Sequence, residues 1–294
     1  MKRFFGVFFA VILMLTCAGC GGGDNKPAEP QKQETKEVKE ETGDKVGALM
    51  PIGIDEEGYK RWTQSIAEVE GQPVGYNAPR TVVFFNDLNS MLAALKAKQI
   101  DRFATSKEVA QYIAARNDDV EIIDYNLKPI LGYSMAMLDK SAAQVEEINN
   151  AINEMRQDGT LAKLVKENIS ELNGADPVHV DLPKIDGAET IKVAVTGDMP
   201  GMDCILADGT PAGFNVAFLS ELSNRINKNF ELVSVTSDAR GSALTSEQVD
   251  ALFWVVGTYD QEGNALPYPL DNMKGVAITV PYMMDSRVGL ALKK

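Results

Sequence analysis

The side chains able to do chemistry are few in kind. The 294-residue chain has one histidine, three cysteines and 42 acidic groups against 29 Lys and Arg. One histidine and three cysteines build neither a His/Cys zinc site nor a disulfide scaffold, and no metal or other cofactor is expected. His179 is the sole base open to a Ser-His-Asp arrangement and stands in a Pro-rich stretch, which argues against nucleophilic catalysis. Acid–base chemistry has candidates in Asp198, Asp203 and Glu262, but no spacing pairs them. Binding suits the inventory better. Arg240 can grip a carboxylate through two parallel N–H bonds. Asp198 and Asp203 can hold an ammonium group. Phe253 and Trp254 alternate along a strand, so one faces a core while Trp254 can offer a stacking surface. Met199, Met202, Met283 and Met284 suit an adaptable apolar pocket or a core.

A formal charge of −13 excludes nucleic acid and anionic membrane surfaces as partners, since both need local positive charge. Composition is that of a globular chain, 45% hydrophobic and 24% charged. The first residues read as an address. Lys2 and Arg3 precede an apolar run from Phe4 to Leu15, too short to span a bilayer but suited to a signal peptide. Ala18-Gly19-Cys20 resembles a bacterial lipobox, with Cys17 where leucine is usual. It implies a signal peptide over 1–19 and a lipid on Cys20. Residues 20–46, opening with glycines and rich in Lys, Glu, Gln and Pro, read as a flexible tether that cannot bury enough surface to fold.

The remaining chain alternates strand and helix. Strand patterns occupy Thr81–Phe85, Ile100–Ala104, Val120–Ile123 and Tyr133–Leu138. Helices follow Asn86 or Asp87, Ser106 and Ala143, and Thr160 is expected to cap another. Residues 173–190 read as a linker. After it come a strand from Ile191, an amphipathic helix over Phe214–Ile226, and strands at Leu232–Val235, Ala251–Val256, Val276–Val280 and Val288–Leu292. The fold class is α/β with two mainly parallel sheets flanked by helices. One echo points to two lobes of one plan: Ala94-Leu95-x-x-x-Gln99-Ile100-Asp101 matches Ala243-Leu244-x-x-x-Gln248-Val249-Asp250. Two such lobes leave a cleft, a common ligand site.

The segments Ile191–Asp198, Ala207-Asp-Gly-Thr-Pro-Ala-Gly-Phe-Asn-Val216, Arg240-x-x-Ala-Leu through Val249-Asp250, and Thr279-Val-Pro-Tyr282 follow one another in order. They resemble the opening of bacterial family 3 solute-binding proteins, the polar amino-acid receptors of ABC importers. Earlier in the chain, Leu92 to Asp101, Thr105 to Tyr112, Tyr133 to Met137 and Ile152 to Leu164 resemble that family's later portion. The resemblance thus implies a bilobal periplasmic-binding-protein-like fold with its halves in permuted order. Residues 47–172 would be the second lobe plus return helices, and 191–294 the first-lobe half. The alternative is two truncated modules; a single permuted domain buries both sheets.

The resemblance also implies a hinge-closing cleft, an ABC permease as partner, and an extracytoplasmic location on the membrane through Cys20. Its ligand handles are altered here. Glu262 falls near the place of the family's carboxylate-clamping arginine, and Ser106 takes the place of its ammonium-binding aspartate. Arg240 matches an arginine that contacts ligand in some members, and Asn215 follows a cleft-rim motif. The leading expectation is a receptor for a small polar solute, such as an amino acid or a related compound. A ligand-free sensing or scaffold module is the alternative, and an enzyme on this scaffold comes third.

Overall fold

A computed structural model describes residues 44–62, 81–124 and 130–294, apart from 173, 200, 261, 267, 268 and 270. Cys20 and nearly all of the expected tether lie outside these residues. Two sheets, each the centre of one lobe, organise the fold. Sheet A has the order β2-β1-β3-β14-β4, from β1 (Lys45–Leu49), β2 (Thr81–Phe85), β3 (Arg102–Ser106), β4 (Val120–Ile123) and β14 (Arg287–Leu292). Sheet B has the order β10-β6-β11-β5-β12, from β5 (Ile130–Leu138), β6 (Thr190–Val195), β10 (Asn229–Ser234), β11 (Ala251–Tyr259) and β12 (Val276–Ile278), with β13 (Met283–Asp285) also on β5. The short strands β7 (Asp198–Met199), β8 (Asp203–Ile205) and β9 (Pro211–Ala212) form a small antiparallel sheet.

Both large sheets share one device. β1 pairs in parallel with β2 and β3, and β6 with β10 and β11. The fourth strand of each runs antiparallel to its neighbours and arrives from the other lobe. β5 follows β4 of sheet A and enters sheet B; β14 follows β13 of sheet B and enters sheet A. The second crossing turns on Ser286 alone.

Helix placement follows local chemistry. Helix α1 (Leu88–Lys96) begins where the Asp87 side chain accepts from Ser90 N at 2.6 Å. Its apolar residues Leu88, Met91, Ala94 and Leu95 are buried. Helix α2 (Lys107–Arg116) begins where Ser106 Oγ accepts from Val109 N. Helices α3 (Ala142–Gln157) and α4 (Thr160–Val165) follow β5, and α5 (Phe214–Ile226) and α6 (Arg240–Thr245) belong to lobe B. Three expectations are corrected. Thr160 is the first residue of α4, not its cap; Gly159 holds the N-cap position at φ 82°, in the region glycine enters without steric cost. The strand expected from Ile100 begins at Arg102, because Ile100 is a buried residue of the preceding turn. β1 takes in Lys45 and Val46, which composition placed in the tether.

The sequence echo is a structural one. α1 leads into β3, and α6 into β11. Lys98 and Glu247, at equivalent positions, both have positive φ, 57° and 58°. Gln99 N donates to Ala94 O and Gln248 N to Ala243 O, each at 2.9 Å. Each closing aspartate accepts a backbone N–H from the strand second in its sheet's order, Asp101 from Lys45 of β1 (2.7 Å) and Asp250 from Lys192 of β6 (2.8 Å). We expect Asp101→Ala and Asp250→Ala each to lower stability by about 1 kcal/mol in urea unfolding. The double variant should lose the sum, since the two share no partner.

Candidate functional site

The carboxyl ends of β1, β3 and β6, together with the middle of β11, surround a cavity of about 90 Å³ between the sheets. The carboxyl ends of strands are where open α/β sheets leave room for ligands. Lobe A contributes residues 48–51, Tyr59, residues 104–106 and Arg287. Lobe B contributes Tyr133, Thr196, Met199, Arg240, Trp254 and Asp271 among others.

Trp254 is the irregular point of this wall. The β11–β5 register shifts between Leu252 and Val255, and Trp254 sits in that bulge with φ 59°, a costly value for a large side chain. The indole stands edge-on to Tyr133, with ring centroids 4.6 Å apart at 82°. Its buried N–H has no partner among the described residues. Two buried charges hold the bulge. Arg240 donates to the carbonyl oxygens of Trp254 (2.9 Å), Phe253 (3.4 Å) and Ser237 (3.3 Å) in its own lobe, and to Met50 O (3.2 Å) in the other. Asp271 accepts from Val256 N at 2.8 Å and from Ile52 N of lobe A. Burial pushes the Asp271 carboxyl up, and the nearby Arg240 charge opposes that rise.

The expected site residues scatter among three tasks. Trp254, Arg240 and Ser106 line the cavity, although Arg240 is committed to carbonyls and Ser106 also starts α2. Asp198 reaches across to lobe A and accepts from Leu88 N, an otherwise unpaired donor at the start of α1. Its other oxygen is buried without a partner. Asp203 lies beneath, accepting from Thr196 N (3.2 Å) and Thr196 Oγ1 (3.3 Å). Burial, and then the Asp198 charge, push Asp203 up to about 7. Burial also raises Asp198, with Asp87 adding to the rise. Asn215 is fully buried on α5, with both side-chain polar atoms unpartnered, and does not line the cavity. Glu262 is exposed in a turn. His179 stands away from the cavity, against Asp181 (2.9 Å) and Pro211 O (3.0 Å).

Sequence reasoning missed Arg287, Tyr59, Tyr133 and Asp271. Arg287 is 8% exposed and opens β14 opposite Ser106. Its guanidinium lies over the rings of Trp62 (4.9 Å) and Tyr59 (5.5 Å) and donates to Tyr59 Oη. The available signal was an arginine at the head of an otherwise apolar strand.

The two sheets, the strands they exchange and the cavity between them define a two-lobed α/β fold. Residues 191–265 match the family model of bacterial extracellular solute-binding proteins, family 3. No curated protein sequence matches the chain. Similar solved structures include the ligand-binding component of an ABC-type import system from Staphylococcus aureus with zinc bound, 11% identical over 85% of this chain and 65% of that one, TM-score 0.39. The alkanesulfonate-binding protein SsuA from Xanthomonas axonopodis pv. citri bound to MOPS is 10% identical over 85% and 65%, TM-score 0.37. The GluR0 ligand-binding core from Nostoc punctiforme in complex with L-glutamate is 11% identical over 85% and 84%, TM-score 0.36. The chain thus spans just under two thirds of the length of the first two.

Two outcomes test the site's construction. Asp203 has a folded-state pKa above the roughly 3.9 of an unfolded aspartate. Its contribution is therefore full below about pH 4 and is lost as pH climbs towards 7. Asp203→Asn should flatten that decline in unfolding free energy measured between pH 4 and 8; an unchanged slope would refute the assignment. Arg240→Met leaves several buried carbonyls and Asp271 without their partner, and should cost about 3 kcal/mol by urea unfolding.

Proposed function

We propose that this chain is an extracytoplasmic receptor that captures a small polar solute, for delivery to an ABC importer, and is tethered to the membrane by lipid on Cys20. The observation that carries the reading is the interlobe cavity, in which polar groups from both lobes converge on one space at strand ends. The family match over 191–265 covers the start of sheet B and supports the same assignment. The sequence resemblance points to an amino acid or a related compound as the solute class, which the cavity lining narrows below. The reading is of a binder rather than an enzyme. Among the described residues the carboxylate lining the cavity is Asp271, which has each oxygen on a backbone N–H and is thus poorly placed to serve as a base.

We read the chain as a single domain in permuted order, residues 191–294 supplying the first-lobe half and 47–172 the second lobe with its return helices. The support is the exchange of β5 and β14: two independent truncated modules would each lack a strand that the other supplies. A ligand-free sensing or scaffold module is the second reading. It is favoured by the small cavity and by the commitment of Arg240 and Asp198 to interlobe contacts.

The two readings separate in a binding screen. The full chain is titrated with amino acids, short carboxylates, polyamines and small peptides. At a hundredfold excess over its Kd, a true ligand should raise the melting temperature by about 5–10 °C. Trp62 and Trp254 are the only tryptophans, and both pack at the cavity or on its Arg287, so emission should change with binding. A cooperative melt that no solute shifts would replace the receptor with the scaffold.

A further inference from the structure

The cavity carries a charge imbalance. Among the described residues its lining has two cations, Arg240 and Arg287, and one acid, Asp271. Arg240 is spent on four backbone carbonyls and shares its field with Asp271. Arg287 has no such company. A guanidinium carries five N–H donors. The hydrogen bond that this one makes goes to Tyr59 Oη, and no carboxylate pairs with it among the described residues. The nearest acid along the chain, Asp285, turns its oxygens to Glu108 N (3.1 Å) and Ser286 N (2.7 Å). The aromatic faces of Trp62 and Tyr59 fix the plane of the guanidinium without supplying an anion. A buried cation short of acceptors in a cavity is relieved by an anionic ligand.

The same lining argues about the rest of that ligand. An ammonium group is best matched by a carboxylate, and Asp271, the acid among the described lining residues, already spends part of each oxygen's capacity on a backbone N–H and part of its charge on Arg240. The lining also includes the apolar or aromatic Tyr133, Trp254, Leu131 and Val256, and the hydroxyl-bearing Thr105 on β3, the strand that pairs with β14. The volume of about 90 Å³ corresponds to about three waters' share of liquid. We infer that Arg287 is the anchor of an anion subsite and that the solute is a short monocarboxylate with an apolar tail, not a zwitterion. This deepens the receptor reading above and rests on it.

The test is calorimetric titration of the full chain with acetate, propionate, lactate, glycine and methylammonium at constant ionic strength. A short carboxylate should bind and methylammonium should not. Arg287→Gln should weaken that carboxylate about 10- to 100-fold. Arg287→Lys keeps the charge but loses the stacked fork, and should fall about 10-fold. It also serves as the test where the glutamine variant does not melt cooperatively. Carboxylate binding unchanged in either folded variant overturns the anchor. Binding of glycine or methylammonium alone overturns the ligand class and leaves the receptor standing. So does a response to the wider solute panel with none to carboxylates. A cooperatively melting chain that responds to nothing removes the receptor reading together with this one.

Discussion

The site depends on a pair of buried charges that do their work on backbone. Arg240 and Asp271 seize carbonyls and N–H groups on either side of the Trp254 bulge, and each also reaches one residue of lobe A, Met50 or Ile52. A bulge with a tryptophan at positive φ is not self-supporting; it persists because neighbours over-determine it. The same contacts fix how lobe A meets lobe B at the cavity floor. Wall shape and lobe position are thus set by one polar cluster.

That cluster explains why residue type alone misassigns roles. Arginine and aspartate in a cleft suggest groups waiting for a solute. Here Asp198 serves as the partner of a helix N-terminus on the opposite lobe, and Asp203 as a brace for Thr196. Such uses consume hydrogen-bonding capacity. Among the described residues the lining cation with no carboxylate partner or cluster of carbonyls is Arg287, held flat by aromatic rings at the point where the chain passes between sheets.

What was legible in the sequence was local. Asp87 and Ser106 start helices because a short polar side chain reaches its own N–H donors three residues on. The repeated Ala-Leu to Asp segment folds alike in both lobes because the bonds that close its turn lie within eight residues, and only the closing aspartate bonds to a distant strand. β1 was hidden because Gly47 weakens its strand pattern. The glycine packs closely, since a Cβ there would displace the Ile100 side-chain end, 2.7 Å away, and stand 3.1 Å from Met91 and Phe103. The partners of Arg240 were hidden because one of them, Met50, lies 190 residues away. Nothing local in Asp271 or Tyr59 signals a cavity that only the exchanged strands assemble.

The placement of β14 bears on how the molecule comes into being on the ribosome. β14 lies between β3 and β4, yet those two strands are synthesised well over a hundred residues before it. Sheet A therefore cannot close until Arg287–Leu292 has been made, and β3 and β4 wait until then with unmatched edges. Pairings of such long sequence separation form slowly, and waiting edges are where chains stick to one another. Truncating the chain by its last eight residues removes little mass but withholds the strand that joins the two halves of a sheet begun at Lys45.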